Sequence, residues 1–305
     1  MLGLLSSCCH RDGWNGSTRS SPTAGTAPSG RFQRALVTGA TSGIGAAFAE
    51  ALPLTMDLLL TGRNKEKLEE AARRLSAGGR RVEIIVADLA DERNVEQLIE
   101  QADAFGIDLL INNAGVGRLG RIIDNAAKAE RDTAAVNVLA VVLLTRRLLP
   151  GMIARARSTG GRAGIIIVAS TAAFTSVPYF ATYAASKAFD LSFAEALGEE
   201  MRGEPVDVLA LCPGATRTGF GGSAGFTGMD LPGAADPRTV ARQALRALGR
   251  QRIKVTGPVS GPAFAPFLLP RRIAAIGIGV LMRLLAATMS GNEGDRRART
   301  GSSEW

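Results

Sequence analysis

The sequence predicts an α/β protein built on a single doubly wound parallel sheet of about seven strands, with helices on both faces. Between Arg34 and Thr256, short runs rich in Val, Ile and Leu alternate with longer segments that have helical spacing. The short runs are apolar at successive positions, so we expect both of their faces to be buried beneath helices. Such regular alternation is typical of the doubly wound α/β class.

Each element is assigned from its local pattern. Apolar, β-rich runs predict strands at Ala35–Thr38, Asp57–Thr61, Val82–Ala87, Asp108–Asn112, Gly164–Ala169, Val206–Cys212 and Arg252–Thr256. Helical spacing of apolar or charged residues predicts helices at Ile44–Leu54, Lys65–Leu75, Glu92–Phe105, Arg131–Arg155, Tyr183–Arg202 and Pro237–Gly249. The second of these helices carries Glu and Lys at helical spacing, and the fourth is rich in Ala and Leu.

The two ends of the chain depart from this alternation. Residues 1–30 are rich in Ser, Gly, Thr and Pro and predict a disordered tail. A signal peptide is the alternative, but the apolar stretch from Leu2 to Leu5 is short and no basic residue precedes it. The main domain is predicted at 31–258, followed at 259–305 by an extension with an amphipathic helix and a disordered end.

The extension is apolar but too interrupted to predict a membrane span. Its longest uncharged stretch, Ile273–Met282, is about half of the ~20 residues that a span needs. One helical face would collect Ile273, Ile276, Val280, Leu281, Leu284, Leu285 and Thr288. We expect this helix to dock on the domain. Contact with the inner face of a membrane or with a second copy of the chain are the alternatives.

Charge and composition argue against several classes of function. The net charge of +8 comes from the two ends of the chain, so the domain itself lacks the basic balance of a nucleic-acid-binding fold. The single histidine, His10, lies in the tail, which argues against His-based triads and His-ligated zinc. The cysteines are Cys8, Cys9 and Cys212, with no C-x-x-C among them. A cytoplasmic protein without a metal site is therefore expected.

A glycine cluster after the first strand predicts a dinucleotide site. Thr38 begins the motif T-G-x-x-x-G-x-G, which lies between a strand and a helix. The glycines allow a tight turn close to a pyrophosphate, and the helix N-terminus offers free N–H groups to the phosphates. This placement is typical of a Rossmann-type fold. The predicted cofactor contacts in this loop are Gly39, Thr41, Ser42, Gly43, Ile44 and Gly45.

The end of the second strand favours NADP(H) over NAD. Sites that prefer NAD usually place Asp or Glu here to accept from the ribose 2′-OH, whereas this strand is followed by Gly62 and Arg63. The Arg63 guanidinium can pair with a 2′-phosphate and stack on adenine. The alternative is that Arg63 is a solvated loop charge. Asp88 and Leu89, after the third strand, are placed to border the adenine.

Further motifs follow in a fixed order. They are Asn112-Asn113-Ala114-Gly115 on the fourth strand, Asn137 in a helix, Ser170 after the fifth strand, Tyr183-x-x-x-Lys187, and Pro213-Gly214 after the sixth strand. Each residue alone is explained equally well as a cap or a packing residue. As an ordered set over about residues 34–256, they resemble the short-chain dehydrogenase/reductase family.

The resemblance implies a proton relay for carbonyl reduction. Hydride transfer to a carbonyl creates an alkoxide, and Tyr183 can protonate it if its pKa, ordinarily ~10, is lowered. Lys187 lies one helical turn away on the same face, where its ammonium can lower that pKa. By resemblance, Lys187 also holds the nicotinamide ribose, Ser170 bonds the substrate oxygen and Asn137 holds a water of the relay. The remaining implied cofactor contacts are Asn113, Gly115, Pro213, Gly214, Thr216 and Thr218.

Apolar residues beside these motifs predict an apolar or lipid-like carbonyl or secondary alcohol as substrate. They are Ala172, Ala173, Phe174, Val177, Pro178, Phe180, Phe220, Phe226, Met229 and Leu231. Ordinary packing is the alternative interpretation of this set. The chain resembles the branch of the family that includes long-chain 3-oxoacyl and hydroxysteroid reductases. The resemblance also implies a homodimer or homotetramer.

Two other classes of function remain open from the sequence. One is an NADP(H)-binding regulatory protein with little turnover, against which the complete set of Ser170, Tyr183 and Lys187 argues. The other is a membrane-peripheral scaffold organised by the C-terminal helix. The sequence departs from the family in two places. Leu52–Met56 lacks the usual glycine, and the extension beyond Thr256 puts the common tetramer contact in doubt.

Overall fold

The computed structural model describes residues 31–225, 233–257, 275–280 and 282. Its strands are β1 (Arg34–Thr38), β2 (Asp57–Gly62), β3 (Val82–Val86), β4 (Leu109–Asn112), β5 (Ala163–Val168), β6 (Val206–Pro213) and β7 (Ile253–Thr256). Its helices are α1 (Gly43–Ala51), α2 (Lys65–Ser76), α3 (Glu92–Phe105), α4 (Ala127–Ala134), α5 (Ala140–Thr159), α6 (Ala181–Glu200), α7 (Phe220–Ala224) and α8 (Pro237–Ala247). The predicted fold class is confirmed, because the described strands form one seven-stranded sheet.

The order of strands across the sheet is β3-β2-β1-β4-β5-β6-β7, and every neighbouring pair is parallel. The chain moves outward in one direction from β1 to β3 and then returns to place β4 on the other side of β1. Loops therefore diverge at the carboxyl ends of β1 and β4. In open α/β sheets this switch point leaves a crevice in which ligands bind.

Two helical layers bury the sheet. Leu36 of β1 packs into the layer that contains α3, α5 and α6, whereas Val37 packs into the opposite layer with α1, α2 and α8. The same alternation holds in β5, where Ile165 and Ile166 belong to opposite layers. Because side chains alternate between two buried faces, the strands read as continuous apolar runs in the sequence.

The long helical segment after β4 differs from its prediction. It begins at Ala127 and ends at Thr159, and a π-helical stretch at Ala135–Leu139 separates α4 from α5. Within the described residues, this segment is the one helix that is long and apolar enough to cross a membrane. Half of its apolar window is buried inside the fold, which is the position of a core helix.

A buried arginine closes the turn at Leu52–Met56, where the usual glycine is missing. The Arg80 guanidinium donates to the carbonyl oxygens of Ala49 (3.1 Å) and Leu52 (3.3 Å), at the end of α1. It also donates to the Leu75 carbonyl oxygen (3.0 Å) at the end of α2. Carbonyls at a helix end need such partners. Arg80 therefore replaces a glycine cap at α1, and the departure from the family pattern leaves the sheet intact.

The described part of the extension contacts the domain through its backbone. Residues 275–280 are helical. Gly279 is buried so close to Pro178 that a Cβ would lie 3.3 Å from the proline Cγ, and Met282 is also buried. The two described residues of the apolar face, Ile276 and Val280, are 69% and 50% exposed. The bare backbone of Gly279 therefore makes the contact with Pro178, and these two side chains remain exposed.

Some predictions concern residues that the structure does not describe. They are the tail at 1–30, the apolar residues Phe226, Met229 and Leu231, the rest of the predicted C-terminal face (Ile273, Leu281, Leu284, Leu285 and Thr288) and the end of the extension.

Candidate active site

The glycine loop after β1 lies at the switch point of the sheet. Gly39 and Gly43 adopt positive φ angles of 66° and 58°, which side chains rarely tolerate. A Cβ on Gly45 would overlap the Gly39 carbonyl oxygen and lie 2.5 Å from the Asn113 Nδ2. Ser42, the N-cap of α1, makes no side-chain capping bond in the described structure. The first N–H groups of α1 therefore remain for another acceptor, such as a phosphate.

Asn113 ties the glycine loop to the next strand. β4 ends at Asn112, so the predicted placement of Asn113 and Gly115 on the strand is wrong, and both lie in the loop that follows. The Asn113 Nδ2 donates to the Thr38 carbonyl oxygen at 2.8 Å. Its backbone N–H donates to the Thr38 Oγ1 at 2.9 Å. Asn113 thus fixes the floor of the crevice between β1 and β4.

The predicted adenine side of the crevice forms at the ends of β2 and β3. Gly62 is pressed against the glycine loop, since a Cβ there would lie 2.8 Å from the Thr41 Cγ2. Arg63 follows at the surface and is exposed. On the neighbouring strand, the Asp88 Oδ1 accepts from the Ala90 N–H at 3.1 Å, and Leu89 is buried. The structure therefore places these predicted residues along one edge.

Four predicted polar residues meet where β4, β5 and α6 converge. Ser170 follows β5, and its Oγ accepts from the Ala172 N–H at 3.1 Å. Its side chain also lies close enough to Tyr183 to lower the pKa of the phenol. The Lys187 Nζ lies 5.9 Å from the Tyr183 ring centroid. Gly115 lies beside both Lys187 and Asn137, because a Cβ there would lie 3.4 Å from the Lys187 Nζ and 3.6 Å from the Asn137 Oδ1.

The π-helical stretch places Asn137 in this cluster. Asn137 is fully buried, and its Oδ1 accepts from the Val116 N–H at 2.9 Å. Its Nδ2 donates to the Val116 carbonyl oxygen and to the Ser186 Oγ, each at 2.9 Å. The amide therefore links the loop after β4 to α6. Single π-helical turns inside helices are frequent at functional sites.

Lys187 has a carboxylate partner that the sequence reasoning missed. Its Nζ donates to the Val168 carbonyl oxygen at 2.8 Å and to the Asp190 Oδ2 at 2.9 Å. The two side chains are 5% and 1% exposed. The available signal was the spacing, since Asp190 stands three residues after Lys187 among apolar neighbours of one helix, where pairs at this spacing meet.

Burial and nearby charges act in opposite directions on the ionisation of this cluster. Burial raises the pKa of Tyr183, while the Lys187 ammonium and the Ser170 hydroxyl oppose the rise. The expected effect of Lys187 on the Tyr183 pKa is therefore present, but loss of hydration outweighs it in this structure. Burial alone would lower the pKa of Lys187, but Asp190 and Tyr183 together outweigh burial and raise it.

Aromatic rings enclose Tyr183. Phe180 stacks on it with ring centroids 4.3 Å apart, and Phe220 of α7 lies at 5.2 Å. A Cβ on Gly117 would lie 2.8 Å from the Tyr183 Cδ2, so the loop after β4 closes a third side. Of the predicted apolar set, Phe180 and Ala173 are packing residues in this structure, being 6% and 5% exposed.

The loop after β6 reaches over the glycine loop. A Cβ on Gly43 would lie 2.9 Å from the Thr218 Cγ2, which places Thr218 directly beside the N-terminus of α1. The Thr216 Oγ1 donates to the Gly214 carbonyl oxygen at 2.9 Å, and the Gly214 N–H donates to the Thr256 carbonyl oxygen at 2.8 Å. Pro213 ends β6 and is buried. The predicted residues of this loop therefore border the same crevice.

Comparison with known proteins identifies the family. The family model for short-chain dehydrogenases matches residues 33–225. This chain belongs to the short-chain dehydrogenase family. The predicted family is confirmed, and the chain is an oxidoreductase of this type with a nicotinamide cofactor. It is 30% identical to dehydrogenase/reductase SDR family member 7B of Xenopus laevis over 251 residues, covering 76% of each chain.

Other relatives give the same family with different names and cofactors. The chain is 35% identical to the 1-deoxy-11-beta-hydroxypentalenate dehydrogenase of Streptomyces exfoliatus over 214 residues, covering 65% of this chain and 76% of that one. A short-chain dehydrogenase from Sphingobium yanoikuyae in complex with NADPH matches with a TM-score of 0.67 and 27% identity, covering 90% and 96% of the chains. A Burkholderia phymatum member in complex with NAD matches with a TM-score of 0.67 and 28% identity, covering 78% and 92%.

Proposed function

We propose that this chain is an NADP(H)-dependent reductase that transfers hydride reversibly between the nicotinamide and an apolar, lipid-like carbonyl or secondary alcohol. One observation carries the proposal, namely that Ser170, Tyr183 and Lys187 converge at the carboxyl edge of the sheet. This cluster adjoins the crevice that the glycine loop lines. The same set argues against the regulatory and scaffold alternatives, which need no proton donor.

The residues of the crevice fit a dinucleotide. Gly45 and Gly39 let the glycine loop pack tightly against the loop after β4, since a Cβ on either would lie 3.0 Å or less from Asn113. The uncapped N-terminus of α1 adjoins this loop. In this proposal, Thr41, Ser42 and the α1 N–H groups hold the pyrophosphate. The other predicted contacts, Ile44, Asp88, Leu89, Asn113, Gly115, Pro213, Gly214, Thr216 and Thr218, line the remainder. The bound cofactor would supply the hydride, and the protein supplies position and a proton.

Tyr183 is the proposed proton donor. Ser170 lies close enough to act on the Tyr183 pKa, and it would also bond the substrate oxygen and so bring that oxygen to the phenol. The phenol is protonated at neutral pH, as reduction of a carbonyl requires, and the Lys187 ammonium lowers its pKa against the effect of burial. Lys187 would then stabilise the phenolate left after the transfer. Asn137 would hold a water that returns the proton through Lys187.

Arg63 is the proposed basis for NADP(H) preference. The side chain is exposed at the end of β2, beside Gly62, where an acidic residue would favour NAD. We expect Arg63→Asp to weaken NADPH binding by about 10–100-fold, the value of a lost charge-assisted hydrogen bond to phosphate. NADH binding should stay the same or improve. Titration of each cofactor by its fluorescence measures both constants.

Arg73→Asp is the matched control for Arg63. Arg73 is an exposed arginine near the far end of α2, the helix that follows Arg63, so its replacement changes the net charge equally without approaching the crevice. Both constants should remain within about twofold of wild type for this variant. Equal weakening of NADPH binding by the two variants, or an unchanged NADPH constant in Arg63→Asp, would contradict the assignment.

Turnover against a graded carbonyl panel tests the proposed function. The panel runs from small ketones to long-chain 3-oxoacyl thioesters and oxosteroids, with NADPH and then NADH. We expect NADPH-dependent reduction whose kcat/KM rises with the apolar area of the substrate, because Phe220 and the neighbouring loops offer an apolar wall. Failure to reduce any member while NADPH binds would favour a regulatory protein instead.

The proposal extends to the organisation of the chain. Residues 31–258 would form the catalytic domain, with 1–30 and 259–305 as appendages of a cytoplasmic homodimer or homotetramer. The exposed side chains of Ile276 and Val280 support contact of the extension with a membrane surface or a second copy. Residues 275–280 lie beside Pro178, so the extension adjoins the proposed substrate side.

A further inference from the structure

Lys187 is almost completely buried, so its charge depends on its neighbours. The groups that act on its ammonium in the described structure come from several elements. Asp190 and Tyr183 belong to α6, Cys212 belongs to β6, and the Val168 carbonyl oxygen belongs to β5. The uncharged backbone at Gly115 also lies near the ammonium, since a Cβ there would lie 3.4 Å from the Lys187 Nζ.

Asp190 supplies the largest favourable charge that acts on Lys187. Burial raises the pKa of Asp190, while the Lys187 ammonium and their hydrogen bond act to lower it. Burial raises the pKa of Cys212 to about 12, so its thiol is neutral. Burial also raises the pKa of Tyr183, so its phenol is neutral as well. Glu195 acts on Cys212 but is exposed. The Asp190 carboxylate, 2.9 Å from the Lys187 Nζ, therefore has no substitute among the described neighbours.

The contact between Asp190 and Lys187 also limits how the ammonium can turn. An ammonium has three N–H donors. One is given to the Val168 carbonyl oxygen and one to the Asp190 Oδ2, which leaves one N–H for a cofactor hydroxyl, a water or the phenolate. Two fixed protein acceptors thus determine the direction of the third donor.

Asp190 is a costly residue if its role is stability alone. Its Oδ1 is buried and has no hydrogen-bond partner within the described residues. A buried ion pair with an unsatisfied oxygen is often no more stable than apolar residues of the same volume. A function for the charge itself explains this arrangement better than packing does.

We propose that Asp190 is a positioning residue of the reductase, whose carboxylate keeps Lys187 charged and directs its free N–H toward the reacting groups. This inference rests on the proposed function for the importance of Lys187 in the reaction. The pairing itself makes a prediction that needs neither cofactor nor substrate. An isolated buried lysine tends to lose its proton, with a pKa up to ~3–5 units below its ordinary value.

The pH dependence of unfolding tests this pairing. In wild type, Lys187 is charged in the folded and unfolded states between pH 7 and 9, so it adds no pH dependence. In Asp190→Asn, burial should lower the Lys187 pKa in the folded state below its unfolded value. The unfolded state then binds more protons, so the unfolding constant falls as pH rises, by up to about tenfold per pH unit. Urea unfolding at a series of pH values measures this slope.

Matched variants assign the slope to Lys187. Asp190→Asn combined with Lys187→Met lacks the lysine and should match the wild-type pH dependence, as should Asp190→Glu, which keeps a carboxylate. If Asp190→Asn folds at pH 9 but not at pH 7, this is the same expected effect in a stronger form. If it folds at neither pH, the smaller uncharged variant Asp190→Ser takes its place.

The result is independent of the proposed activity. An Asp190→Asn slope equal to that of wild type would overturn the inference, even if the chain reduces carbonyls. A pH slope that is present in Asp190→Asn and absent from the double variant would support the pairing of Asp190 with Lys187. This holds even if no carbonyl is reduced, in which case the proposed function fails and the pairing stands.

Discussion

Replacing Tyr183 by Phe is expected to lower kcat for carbonyl reduction by about 10²–10⁴-fold, the usual contribution of a positioned general acid. The substitution removes the hydroxyl but keeps the ring, which packs between Phe180 and Phe220. The free energy of unfolding and the Kd for NADPH should therefore change little. Steady-state oxidation of NADPH with the best substrate of the carbonyl panel measures kcat.

The chain offers a matched control for this experiment. It contains two tyrosines, and the other, Tyr179, lies four residues earlier in the same segment. Tyr179→Phe removes the same hydroxyl from a half-buried ring outside the proposed relay, so kcat should stay within about twofold of wild type. If Tyr183→Phe keeps more than a tenth of the activity, or if both variants lose activity alike, Tyr183 is not the proton donor.

Gly45→Ala should have the largest effect on the fold and on cofactor binding. The added Cβ would overlap the Gly39 carbonyl oxygen and approach the Asn113 Nδ2, whose amide is already bonded to Thr38. The loop cannot move to make room for the Cβ without breaking the hydrogen bonds of Asn113 to Thr38, which connect the ends of β1 and β4. We expect a loss of about 3 kcal/mol in the free energy of unfolding, and loss of measurable NADPH binding.

Gly222→Ala provides the comparison for Gly45. Gly222 lies in α7, and a Cβ there would meet nothing within 4 Å. Removing a glycine from an open helical position is expected to change stability by less than about 1 kcal/mol, in the stabilising direction. Urea unfolding measures both variants. A Gly45→Ala protein that is as stable as wild type and binds NADPH equally would show that the loop is not closed as described.

The strands were predictable because their signal is local. A run such as Gly164–Ala169 is apolar at successive positions, and this is the pattern of a strand whose two faces are both buried. The π-helical stretch at Ala135–Leu139 was not predictable, because an extra residue in one turn leaves no mark on apolar spacing. The short helix α7 was also missed, since three of its five residues are Gly or Ser and give no periodicity.

The sequence predicts which residues meet in the site, but it does not predict the direction in which their pKa values shift. Tyr183 and Lys187 share one helix, so spacing alone brings them together. Whether the Tyr183 pKa rises or falls depends on burial by Phe180, Gly117 and Phe220, which come from separate parts of the chain. Docking of the extension at Pro178 likewise depends on the absence of a side chain at Gly279, which a count of apolar positions does not register.

Transfer of deuterium from the cofactor to the substrate is the most direct test of hydride transfer by this chain. Purified wild-type protein is given NADPH labelled with deuterium at both positions of C4, together with the best carbonyl of the panel. We expect one deuterium on the carbinol carbon of the product for each NADPH oxidised, found by mass spectrometry. Product without deuterium, or no alcohol from any carbonyl despite NADPH binding, would contradict hydride transfer as the function of this chain.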